Sequence, residues 1–119
     1  MLRLRYATED WRNCLNDAID SACREHGMDT SHYGNDYWND VADDLRSDTL
    51  AMLDERGIEY ERAHQQSRGT HVIVQGGEPE EIEVFHECLA KAMETAEQDV
   101  REIVEADSKE VNEYEIGGL

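Results

Sequence analysis

"PEEIEVFHECLAKAMETAEQDVREIV", residues 79–104, decides the fold. Ile82, Phe85, His86, Leu89, Met93, Ala96, Val100, Ile103 and Val104 recur at helical spacing for about 25 residues. Pro79 stands at a position that suits the first turn of a helix. A helix of this length spans on the order of 40 Å, so every other element must pack along it.

Upstream, "LRLRY" (2–6) alternates strictly, with Leu2, Leu4 and Tyr6 on one face and Arg3 and Arg5 on the other, which predicts a strand. Thr8 reads as an N-cap, with Glu9 and Asp10 in the first turn. Trp11, Cys14, Leu15, Ala18, Ile19 and Ala22 then predict a helix over 9–26 that ends at Gly27. "MDTSHYGN" reads as a loop. A second helix, capped by Asn35 or Asp36, runs to Arg56 with Gly57 after it. Its buried stripe is Trp38, Val41, Ala42, Leu45, Thr49, Met52 and Leu53.

"IEYERAH" and "THVIV" predict two strands joined by the turn-like "QQSRG", and Gly76 and Gly77 break the pattern. "EVNEYEI" near the C-terminus predicts a fourth strand, and "GGL" frays. The expected order is β-α-α-β-β-α-β. It gives a single α+β domain over residues 1–119, with a small, mostly antiparallel sheet packed against three helices.

The 119 residues suffice for one modest core. Charge is the dominant feature: 29 acids face 11 basic residues, for a formal net charge of −18. Only Lys91 and Lys109 are lysines. Such a charge opposes direct binding to nucleic acid or to an anionic membrane and favours a basic partner. The opening "MLRLRYATED" has no apolar segment of signal-peptide length, and no window reaches the length of a membrane span, so the expected location is the cytoplasm. Cys14, Cys23 and Cys88 form no CxxC pair and read as reduced, buried thiols.

The acids are patterned. "NDYWNDVADDLRSD" (35–48) holds Asp36, Asp40, Asp43, Asp44 and Asp48, answered within the stretch only by Arg46. At 100° per residue all five fall on the side of the second helix opposite its apolar stripe, at steps of about 6 Å. Tyr37 lies among them, and Leu50 is also read as turned away from the core. The long helix repeats the arrangement with Glu83, Glu87, Glu94 and Glu105. A row of rigid carboxylates can occupy a groove whose arginines and lysines are spaced for phosphates, and an exposed aromatic adds contact area. The expected partner-binding residues are therefore Asp36, Tyr37, Asp40, Asp43, Asp44, Asp48, Glu83, Glu87 and Glu94.

A short, strongly acidic chain with an aspartate row such as "DYWNDVADDLRSD" resembles phage-encoded DNA-mimic inhibitors, among them anti-CRISPR proteins, anti-restriction proteins and uracil-DNA glycosylase inhibitors. The resemblance lies in composition and charge layout. It implies a stoichiometric, non-enzymatic blocker of a nucleic-acid-binding protein such as a CRISPR effector or a restriction enzyme, acting in the host cytoplasm. The alternative is a small regulatory or structural domain of a halophile, in which acidity serves solvation in high salt and lysine is scarce.

Other chemistries find little footing. "DTSHYGNDYWND" (29–40) places Gly34 sixth, as a calcium loop does, but Tyr33 stands where an oxygen ligand is needed and Asp40 replaces the closing glutamate. Cys23 with His26, and His86 with Cys88, do not match a structural zinc spacing. No nucleophile elbow, phosphate loop or dinucleotide fingerprint occurs. Neither a cofactor nor an enzymatic activity is expected.

Overall fold

The computed structural model describes residues 1–63 and 73–117, with side chains as far as Val111 and Asn35 excepted. The described elements are β1 (Leu2–Leu4), α1 (Thr8–Asn13), α2 (Asn16–His26), α3 (Asn39–Glu55), β2 (Tyr60–Arg62), β3 (Val74–Gly76) and α4 (Pro79–Gly117). Two short 3-10 turns, Thr30–His32 and Asn35–Trp38, lie between α2 and α3. The architecture is α+β, as expected, and its order is β-α-α-α-β-β-α.

The sheet is mixed, with strand order β2-β1-β3. Strand β1 pairs parallel with β2 and antiparallel with β3. The expected hairpin between the second and third strands is therefore not formed, because the N-terminal strand lies between them. The "QQSRG" turn read from the sequence falls outside the described residues. Leu2 and Leu4 are fully buried on one face of β1, while Arg3 is exposed on the other. Gly76, expected to break a strand, closes β3 instead. A side chain there would collide with the Arg3 guanidinium, so only glycine lets this arginine lie across the strand.

The first expected helix is two. Cys14 and Leu15 donate to the carbonyls of Trp11 and Arg12, three residues back, which tightens the chain and separates α1 from α2. Trp11, Leu15 and Ile19 all reach the core across this break. Thr8 does not cap α1; its hydroxyl reaches Asp43 on α3. Neither Asn35 nor Asp36 caps α3, which is entered from the 3-10 turn. Gly27 and Gly57 end α2 and α3 with φ of 66° and 71°, as anticipated.

Helix α4 is 39 residues long, about 58 Å. Its start is fixed by Glu81, whose carboxylate accepts the Glu78 N–H at 3.0 Å. "EVNEYEI" continues this helix and forms no fourth strand. Extending an existing helix adds one hydrogen bond per residue with no new nucleus, which outweighs a short alternating pattern. One core joins Trp11, Leu15, Leu45, Leu53, Phe85, Val100 and Val104 to the two β1 leucines. Leu50 is half-buried against that core rather than turned away from it.

Candidate functional site: a carboxylate ridge on two helices

Helix α3 buries Val41, Ala42, Leu45, Thr49 and Leu53. The Thr49 hydroxyl donates back to the Leu45 carbonyl at 2.8 Å, so this polar side chain adds no unpaired group to the core. Asp40, Asp44 and Asp48 on this helix are exposed, and so is Asp36 in the 3-10 turn before it, with 94% of its side chain accessible.

Asp43 belongs to a different environment. It accepts a hydrogen bond from the Thr8 hydroxyl at 2.7 Å and pairs with Arg46 at 3.3 Å. Arg46 also donates to the Tyr6 carbonyl at 2.6 Å. The one cation of the stretch is thus drawn to the junction of β1, α1 and α3, where it neutralises Asp43. Arg12 donates to the Asn39 side chain at 2.8 Å and lies 4.0 Å from Asp36. Asp40, Asp44 and Asp48 have no ion pair or hydrogen bond among the described residues.

Helix α4 supplies the second rank of charge. Arg56, just past the end of α3, meets Glu87 at 3.2 Å, and Tyr37, just before its start, meets Asp107 at 2.9 Å. The two helices therefore run antiparallel, and the middle of α3 faces residues near 100 of α4. Asp99 lies there, partly buried. Its carboxyl is held above the usual aspartate range by burial first, then by the charges of Glu102, Asp44 and Asp48. Glu102 accepts from the Gln98 amide at 3.1 Å, and Gln98 in turn accepts from Arg101 at 2.8 Å.

Glu83, Glu87 and Glu94 are exposed, but they lie on the face of α4 opposite Phe85, Cys88 and Ala92. Glu87 is spent on Arg56 at the far end of α3, and Glu105 is paired with Lys109 at 3.3 Å. Asp99 is the acid brought to the α3 row, with Glu102 one turn along α4 from it, and the sequence reading passed over both. A signal for them existed. The buried positions Cys88, Ala92, Ala96, Val100, Val104 and Ser108 are spaced by four. Each such step rotates the stripe by about 40°, so the solvent face at Glu83 is not the solvent face twenty residues later.

The ridge ends in aromatic rings. Tyr33 and Trp38 are buried, whereas Tyr37 remains 48% exposed. The Tyr37 ring stands 4.7 Å from Tyr33 and 5.1 Å from Trp38, centroid to centroid. Both phenols donate to the same oxygen, Oδ2 of Asp107, each at 2.9 Å. Burial and this carboxylate raise the pKa of both tyrosines, and the charge of Glu110 adds to the effect at Tyr37.

The segment 29–40 forms the two 3-10 turns and enters α3 at Asn39. The Asp29 carboxylate accepts the Ser31 N–H at 3.0 Å, and this bond lowers its pKa. Cys23 and Cys88 are buried, and burial raises the Cys23 thiol pKa. Among the described residues no group of three or more His, Cys, Asp or Glu is arranged to hold a metal, and no helix is long and apolar enough to cross a membrane. Comparison with family models, with curated proteins and with solved structures finds no match.

Proposed function

We propose that this protein is a non-enzymatic inhibitor that seats its α3–α4 ridge in the basic nucleic-acid-binding groove of a partner, in place of a nucleic-acid strand. One observation carries the reading: among the described residues Asp40, Asp44 and Asp48 stand unpaired in a row, with Asp99 beside Asp44 and Asp48 and Glu102 next to Asp99 on α4. From Asp40 to Asp48 the helix rises about 12 Å. Five carboxylates in that interval give one charge per about 3 Å, against one phosphate per about 3.4 Å along one DNA strand. A single row at i, i+4 reaches only half that density; two antiparallel helices supply the rest.

The partner class is a nucleic-acid-handling protein such as a CRISPR effector complex or a restriction enzyme. Its groove offers fixed arginines and lysines, and the ridge offers fixed acceptors. The test is competition. Increasing amounts of the protein are added to purified effector or restriction enzyme with labelled DNA, and DNA release and inhibited cleavage are read together. Displacement at stoichiometric ratios, reversed by Asp44→Lys, supports the proposal. Salt-sensitive binding of DNA by this protein alone would overturn it.

A further inference from the structure

We infer that Tyr37 is an arginine-selecting anchor at the end of the ridge, an inference that rests on the proposed binding of a basic partner. A carboxylate accepts two parallel N–H groups from arginine and meets lysine as a point charge; an aromatic ring beside it adds a second and separate means of discrimination. A guanidinium is planar and weakly hydrated, so it stacks on an aromatic face while its N–H groups reach flanking carboxylates; an ammonium is compact and strongly hydrated.

The geometry around Tyr37 suits that task. Its hydroxyl is tied to Asp107, its ring packs against Tyr33 and Trp38, and nearly half of its surface still faces solvent. A ring held at three places loses little freedom when a partner docks, which is the property of an interface anchor. Asp36 precedes it, Asp40 follows within one turn, and Glu110 is near enough to perturb its phenol. A guanidinium over the ring therefore has the Glu110 carboxylate near it, with Asp36 and Asp40 one and three residues away along the chain. Tyr33 and Trp38 are buried and His32, which packs against Tyr33, is exposed, so Tyr37 is the tyrosine of the cluster available to a partner.

The test uses two blocked peptides of equal charge, hexa-arginine and hexa-lysine, titrated into the intact protein by calorimetry and by NMR of the tyrosine rings. The expected result is an affinity for hexa-arginine about two- to fivefold above that for hexa-lysine, with the Tyr37 ring resonances moving more for arginine. Tyr37→Leu should abolish the preference while both peptides still bind. Tyr37→Phe, which keeps the ring, should retain it. Equal affinities and equal ring shifts in the wild-type protein would overturn the anchor and leave the ridge standing. A preference that survives Tyr37→Leu, or one lost equally in Tyr37→Phe, would also overturn it. Binding of neither peptide would overturn the ridge reading along with the anchor. The wild-type ring shifts decide the question even if a variant folds poorly.

Discussion

Reversing Asp44 to lysine should strengthen the fold and destroy the interaction at the same time. Asp44 has Asp40 four residues before it and Asp48 four after, with Asp99 across the helix seam. A like-charged i, i+4 pair costs about 0.2–0.5 kcal/mol, and an opposite-charged pair returns a similar amount. The introduced ammonium converts both neighbours from repulsive to attractive. The sum is about 1–2 kcal/mol at low ionic strength, and solvent screening of these exposed groups reduces it to about 1 kcal/mol. For a chain of this size that raises Tm by about 4 °C. At a basic groove the same substitution removes an acceptor and adds a like charge, a change of several kcal/mol, so affinity should fall at least about 100-fold.

Glu94→Lys is the matched control. A single reversal adds two charges, so both variants move the formal net charge from −18 to −16. Glu94 has Ala90 and Gln98 at its i±4 positions and faces solvent away from the core, so its Tm should barely change. Affinity for hexa-arginine, and for the enzyme from which DNA is displaced in the competition assay, should fall less than about threefold. Equal loss of affinity in the two variants would refute the reasoning, because the charge would then act as a diffuse field with no special row. A lowered Tm in Asp44→Lys would refute the repulsion on which the magnitude rests.

Asp99→Asn should raise Tm at neutral pH. The folded-state pKa of Asp99 is raised, so its stability contribution is lost as pH rises through that pKa; the gain in the variant should close again below the ordinary aspartate range, as melts across pH will show. Trp11→Ala should cost about 3–5 kcal/mol, visible in urea unfolding, since the ring is fully buried edge-on to Phe85 and its N–H donates to the Arg5 carbonyl at 2.8 Å. At about 0.15 M salt the protein should be folded, with added salt raising Tm by a few degrees as repulsion is screened. A chain that folds only in molar salt would make its acidity a device for solvation and would remove the basis for the inhibitor reading.

The helices were legible because their buried faces are written at helical period. Val41, Ala42, Leu45 and Leu53 lie where the α3 pattern puts them, and so do Phe85, Val100 and Val104 on α4. Pairing was not legible. Whether β1 sits at the edge or the centre depends on where three helices carry the chain, and three-residue strands hold too little pattern to specify their neighbours. The site was half legible. The Asp40, Asp44, Asp48 row follows from one helical wheel, whereas Asp99 and Glu102 belong to it only through the antiparallel docking of two helices. Asp43 was read as one more member of the row. Its i,i+3 spacing to Arg46 is local, but nothing local reveals that Thr8, 35 residues away, also claims its carboxylate.

The ridge is tolerable because the helix that carries it packs its other face into the core. Two repulsive steps along α3 cost about 1 kcal/mol together. Against them α3 buries Leu45 and Leu53 almost completely, each contributing about 1.5–3 kcal/mol, on the face opposite the charges. Asp99, partly buried at the seam, has its carboxyl pKa raised by burial first and then by the charges of Glu102, Asp44 and Asp48. A guanidinium seated between Asp44, Asp48 and Asp99 would reverse that sign, stabilising the ionised carboxylate and drawing the two helices together. Binding should then release a proton when it is carried out within the titration range of Asp99, and the release should vanish in Asp99→Asn. Calorimetry in two buffers of different ionisation enthalpy measures it. Proton uptake, or a release unchanged in the variant, would place the partner's cations away from the seam.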